Sequence, residues 1–229
     1  MGVRAVWGRS ASHVRWAGSA RRRSPDRIAD ARGQSRADAD PRDPGAVDLP
    51  PVRISVAARR ALRHTRSVAA PIARLNHAVL FVRDVDRAFE FYRRVFGFEE
   101  ISRLARPPMA FLRAQGSQNH HDLGLFGVGE GAPRPPRGST GLYHLAWEVL
   151  RIEDLAEAAR ALTDAGALTG ASDHGATKSL YGQDPDGNEF EVMWMVPREA
   201  WGDYERAATV APLDLDAELR RWSGPTSMA

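Results

Sequence analysis

The chain has 229 residues, room for one large domain or two small ones, and 43% of them are hydrophobic, as in a globular protein that buries a core. It contains no cysteine, which excludes disulfides, thiolate metal sites and a cysteine nucleophile. Charge divides it: residues 1–74 carry 16 Arg against 6 Asp, and the rest carries 15 Arg and one Lys against 23 acids, so the net +3 describes neither part.

Residues 1–72 form the basic part. A basic arm suits nucleic acid or anionic lipid. The run RRRSPDRIADARGQSRADADPRDP, however, is poor in aliphatic residues and has no sustained period, which predicts a disordered extension rather than a binding arm. No apolar run here is long enough for a signal peptide or a membrane helix, and the Arg cluster leads into Ser-Pro-Asp. A cytoplasmic protein with neither a nucleic-acid nor a membrane partner is therefore expected, and the segment reads as an extended reading frame upstream of the true start.

From Leu75 the chain repeats itself. LNHAVLFVRDVDRAFEFYRRVFGFE aligns with LYHLAWEVLRIEDLAEAARALTDAGA from Leu142 at a constant offset of 67 residues. Each copy opens Leu-x-His, and about eight strand-like residues lead into a helical pattern, carried by Val85, Ala88, Phe89, Tyr92 and Phe96 in the first and Ile152, Leu155, Ala159 and Leu162 in the second. Asp84 is placed to cap the first helix, and Gly97 and Gly166 stand where a left-handed residue would end each one. Three short strands follow each helix: EEISRLA, MAFLRAQ and HDLGLFGV in the first copy, the region 167–171, KSLYGQD and FEVMWMV in the second. PRPPRG, 133–138, reads as the linker between copies. The expected fold class is α+β, two βαβββ units over 73–197 forming a cupped mixed sheet with helices on one side.

In such a pair, residues at matching positions converge across a pseudo-twofold axis, so His77 and His144 should point the same way. The last strand follows the turn Asp184-Pro185-Asp186-Gly187, and along it Glu189 and Glu191 share one face by the strand's period of two. A carboxylate on a covered face is costly unless paired or metal-bound. Glu191 lies nearer mid-strand and Glu189 nearer the rim, with Glu148 a reserve carboxylate in phase with His144. Two symmetry-related histidines and one carboxylate make a facial set that leaves up to three positions of an octahedral ion open, the arrangement of non-haem Fe(II) enzymes. Fe(II) is the expected metal; the set also suits Mn(II), and Zn or Ni are not excluded.

Leu75-Asn-His77, Tyr143-His144-Leu-Ala-Trp-Glu148 and Asp184-Pro-Asp-Gly-Asn-Glu-Phe-Glu191 together resemble the vicinal oxygen chelate superfamily. That superfamily includes glyoxalase I, fosfomycin-resistance thiol transferases, bleomycin-resistance proteins and extradiol dioxygenases. The resemblance spans about 73–197 and implies the metal ligands His77, His144 and Glu191. Glyoxalase-like sites take a further carboxylate from the last strand of the first unit, whose body, 123–128, has none; Asp122 sits at its entrance. Fosfomycin-resistance transferases share Ser179-Leu-Tyr181 ahead of the turn. Extradiol dioxygenases similar to catechol 2,3-dioxygenase show a His pair, matched by His120-His121, and a His followed by a Tyr ten residues before the Glu ligand, matched by His174 and Tyr181.

The resemblance thus implies a ring-cleaving dioxygenase acting with O2 on a catechol-like small-molecule aromatic, as a homo-oligomer. His121 would be the acid/base, with His120 structural or exposed, and His174 and Tyr181 would orient substrate. The alternatives are a glyoxalase-like lyase or isomerase, a thiol transferase on a small electrophile, and a non-catalytic binding protein. Residues 198–229 exceed the minimal fold. Leu213, Leu215, Leu219 and Trp222 mark them as a cap over the cup or a neighbouring subunit, or else as a docked surface tail.

Overall fold

The computed structural model describes Ser55 and residues 72–136 and 138–224, so nearly all of the basic extension lies outside the described residues. The first repeat comprises β1 (Ala78–Val82), α1 (Val85–Phe96), β2 (Glu99–Ala105), β3 (Pro108–Arg113) and β4 (Leu123–Gly127). The second comprises β5 (Leu145–Val149), α2 (Ile152–Asp164), β6 (Leu168–Asp173), β7 (Thr177–Gln183) and β8 (Glu189–Met195). Each makes a four-stranded mixed sheet, ordered β1-β4-β3-β2 and β5-β8-β7-β6. The first strand pairs parallel with the last and the other pairings are antiparallel. This is the expected βαβββ plan, twice. Among the described residues no helix is long and apolar enough to cross a membrane.

The helix boundaries follow their local chemistry. Asp84 is extended and its carboxylate accepts from the N–H groups of Asp86 and Arg87, while Gly97, at φ 67°, ends α1 in the left-handed region where a side chain would be strained. Each helix turns a stripe inward: Val85, Ala88, Phe91 and Tyr92 from α1, and Ile152, Leu155, Ala156 and Leu162 from α2. Alternate strand residues meet them, Leu80 and Val82 on β1 and Phe190, Val192 and Trp194 on β8.

One core spans both repeats, because the repeats meet through their helix-bearing sides. Phe96 packs edge-to-face on Phe190 at 5.1 Å and Phe98 on Trp147 at 5.2 Å. The Asp-Pro-Asp-Gly turn is part of this joint. Asp184 accepts from the N–H groups of Asp186 and Asn188, both at 2.9 Å, and from the Tyr92 hydroxyl of α1 at 3.3 Å. Asp186 accepts from the Arg83 N–H at 3.1 Å and the Arg87 guanidinium at 3.0 Å.

The other face of each sheet points away from the helices, and the two differ. On β1 it carries Val79 and Phe81, which are 43% and 52% exposed. On β8 it carries Glu189, Glu191 and Met193. Residues 198–224 follow β8 as two short 3-10 turns and helix α3 (Leu215–Trp222). Leu213, Leu215, Leu219 and Trp222 pack against the core, and Trp222 lies 5.7 Å from Trp194, on the side of β8 opposite Glu191. The helix of the extension is therefore docked behind the sheet of its own chain.

Candidate active site

His77 and His144 occupy matching places, each one residue before the strand that was expected to contain it. The ladders start only at Ala78 with Leu123 and Leu145 with Phe190, and the preceding Leu75 and Leu142 are exposed. Within the described chain the two histidines belong to different clusters, and no three His, Asp or Glu side chains are gathered closely enough to hold one ion.

The cluster on the second repeat pairs His144 with Glu191, Nε2 to Oε2 at 3.2 Å, with the side chains 27% and 13% exposed. Ala146 and Tyr181 flank Glu191 in register, one on each neighbouring strand. The Tyr181 ring lies 5.9 Å from that of His144, and its hydroxyl is 2.7 Å from His174 Nε2. Burial, and then the negative charge of Glu191, push the Tyr181 phenol above its ordinary pKa, so it keeps its proton at neutral pH. His174 Nδ1 is 2.8 Å from the carbonyl of Thr209, in the C-terminal extension. Glu189 stays at the rim, accepting from Gln183, and Glu148 is exposed opposite Met193.

This arrangement fits a metal. Two ligands at right angles on bonds of about 2.1 to 2.2 Å stand about 3 Å apart, close to the separation of His144 Nε2 and Glu191 Oε2. Among the described residues His144 Nδ1 is buried without a hydrogen-bond partner, while the Glu191 carboxylate, which only accepts, favours a proton on Nε2; a metal bound between the two would take that proton's place and leave Nδ1 as the protonated nitrogen.

The cluster on the first repeat sets the His77 ring 4.4 Å from that of His121, tilted by 50°, with the Phe111 ring 5.0 Å from His121. His120 and His121 meet Nδ1 to Nδ1 at 3.0 Å. Burial, then the neighbouring His77 and His120, lower the His121 pKa, which keeps the ring neutral and able to take a proton. The presenting loop is built on Asp122, which accepts from the Ala114 N–H, the Ser117 hydroxyl and the Asn119 amide at 2.7 to 2.9 Å; Asn119 also donates to the Asn76 carbonyl beside His77. Asn119 and Thr209 thus position histidines that the sequence singled out. Asn119 stands beside the His pair in sequence, whereas a backbone carbonyl 35 residues from its histidine leaves no trace.

A family model for the Glyoxalase/Bleomycin resistance protein/Dioxygenase superfamily matches residues 74–192. Catechol-2,3-dioxygenase of Bacillus subtilis is 30% identical over 149 residues, covering 61% of this chain and 50% of that protein. Biphenyl-2,3-diol 1,2-dioxygenase 3 of Rhodococcus globerulus is 34% identical over 122 residues, covering 52% and 62%. A manganese-dependent 2,3-dihydroxybiphenyl 1,2-dioxygenase of Geobacillus genomosp. 3 is 27% identical over 135 residues, covering 57% and 39%. The chain therefore spans less than two thirds of the length of each.

Proposed function

Because the chain belongs to the glyoxalase/bleomycin resistance protein/dioxygenase superfamily, we propose that it is a metal-dependent extradiol-type dioxygenase that opens a catechol-like aromatic ring with O2. The observation that carries this reading is the His174–Tyr181 pair, hydrogen-bonded at 2.7 Å on the same sheet face as His144 and Glu191. A catechol needs such a pair beside its hydroxyls, and the dioxygenase names of the relatives agree with it.

Fe(II) is the proposed metal, with Mn(II) the alternative that the manganese-dependent relative supports; such an ion supplies a path for electron density from catecholate to O2. His144 Nε2 and Glu191 would hold it, with His77 as the third ligand. Since His77 lies outside the His144–Glu191 cluster, it is His77 of a second copy that completes the set, and the enzyme works as a homo-oligomer. The exposed Val79 and Phe81 beside His77 would be covered in that assembly. Tyr181 donates its hydroxyl hydrogen bond to His174 Nε2, which leaves the lone pairs of its oxygen to accept one from a substrate hydroxyl. Neutral His121, which stands beside His77 and so comes from the same second copy, takes and returns a proton across the ring from that hydroxyl.

The test is anaerobic loading with Fe(II) or Mn(II), followed by oxygen uptake and the yellow ring-opened product on adding catechol or 2,3-dihydroxybiphenyl. Uptake that disappears in His144→Ala is the expected result. Tight metal binding without uptake overturns it in favour of a lyase or thiol transferase, and absence of metal binding in favour of a binding protein.

A further inference from the structure

The C-terminal extension reaches the site face beside His174, which it holds from both sides. β6 is an edge strand, so its outer backbone groups have no partner in the sheet. Its last residue, Asp173, exchanges two hydrogen bonds with Ala211, at 2.8 and 2.9 Å. On the other side of His174, Gly175 has φ +77° and lies under the ring of Tyr204, where any Cβ would collide. Two further contacts anchor the extension. Trp201 Nε1 donates to the Val196 carbonyl at 2.6 Å. Lys178, 5% exposed, joins Asp173 at 2.6 Å to Glu218 of α3 at 3.5 Å. A buried cation with a carboxylate from each side is costly to separate from either.

Between these grips the Thr209 carbonyl faces His174 Nδ1 at 2.8 Å. A carbonyl only accepts, so Nδ1 must carry a proton, and in the neutral ring Nε2 is then the bare nitrogen. Nε2 is the atom 2.7 Å from the Tyr181 hydroxyl, which must therefore donate to it. Free of the carbonyl, the ring takes either tautomer, and with the proton on Nε2 the direction of the Tyr181 bond reverses.

We infer that residues 198–224 are a positioning device for the site: the Thr209 carbonyl, pinned by the Asp173–Ala211 bridge, fixes His174 in the Nδ1–H tautomer and so turns the Tyr181 proton toward His174. Thr209 and Ala211 are positioning residues. Their effect on turnover rests on the dioxygenase reading, but their effect on the tautomer does not.

The test is nitrogen-15 NMR of the metal-free full chain above pH 7.5, with the His174 resonances identified among the seven histidines by their loss in His174→Gln. In the wild type, Nδ1 is expected as the protonated nitrogen and Nε2 as the bare one; a protonated Nε2 overturns the inference without any variant. Ala211→Pro removes one bond of the bridge, and Tyr204→Ala loosens the other grip. In either, the His174 signals should move to a mixture of tautomers while those of His120 and His121 stay in place. An unchanged tautomer in a folded variant overturns the role of the extension. The expected tautomer together with no oxygen uptake on any catechol would sink the dioxygenase reading alone.

Discussion

Asp184 gives the most direct test of how the two repeats are held together. Its carboxylate is 5% exposed and accepts four hydrogen bonds: from the N–H groups of Asp186 and Asn188, from the Asn188 side chain, and from Tyr92 of the other repeat. Asp184→Ala strips all four. The Tyr92 hydroxyl, on a side chain only 1% exposed, is left unpaired at a cost of about 1 to 3 kcal/mol, and each turn donor loses about 0.5 to 1.5 kcal/mol net of what water restores. The expected loss is about 3 to 5 kcal/mol, read as a lower urea midpoint with an unchanged slope. Asp184→Asn keeps an acceptor oxygen and removes a charge whose burial raises its pKa, so it should cost only about 1 kcal/mol. A raised carboxyl pKa contributes stability below the unfolded value, and that contribution is lost as pH rises through the folded one, so the gap between wild type and Asp184→Asn should narrow from pH 4 to 7. A loss below about 1 kcal/mol in Asp184→Ala would show that the turn is only a turn.

Glu191→Gln should weaken Fe(II) or Mn(II) binding by at least about 10-fold, measured by calorimetry, because it removes the anionic member of the proposed ligand set. His121→Ala should leave metal binding intact and slow turnover by about 10² to 10⁴; unchanged turnover removes His121 from the chemistry. If two copies share each centre, inactive His77→Ala and inactive Glu191→Gln should regain oxygen uptake when unfolded and refolded together, and no recovery would place the whole centre in one chain. Asp173 is raised by burial but lowered further by the Lys178 ammonium and the Gly175 N–H, and its net pKa is below the ordinary value. Its stabilisation is present above the unfolded pKa and is lost as pH falls through the folded one, so Asp173→Asn should flatten the fall in Tm below about pH 4.

Much of this architecture was legible because it is written in local chemistry. Asp84, Gly97 and Gly166 mark helix ends through one side-chain cap and two left-handed positions, and the repeat of Leu-x-His at 67 residues predicted the doubled βαβββ plan. Period two put Glu189 and Glu191 on one face and Phe190 and Val192 on the other. What alternation does not give is the surface that each face meets. The repeats meet through their helix-bearing sides, so the convergence expected of His77 and His144 does not occur within the described chain. The joint itself depends on Tyr92, Arg83 and Arg87 meeting a turn about a hundred positions away. The extension was recognised by its apolar residues, but its route to His174 runs through backbone atoms, which any residue supplies.

The connection between the third and last strands of each repeat shows how far the two copies have parted. In the first, residues 114–122 fold around Asp122 and present His120 and His121; in the second, residues 184–188 fold around Asp184 and bind the neighbouring helix. Two hairpins at equivalent places, each organised by one internal carboxylate, thus present histidines in one repeat and hold the repeats together in the other. A residue inserted into the earlier hairpin would move His120 and His121 while leaving the joint between the repeats intact, whereas the same insertion in the later one would pry the halves apart, so insertion scanning of equivalent loops should return an unstable protein in the second case and, on the dioxygenase reading, a folded but inactive one in the first.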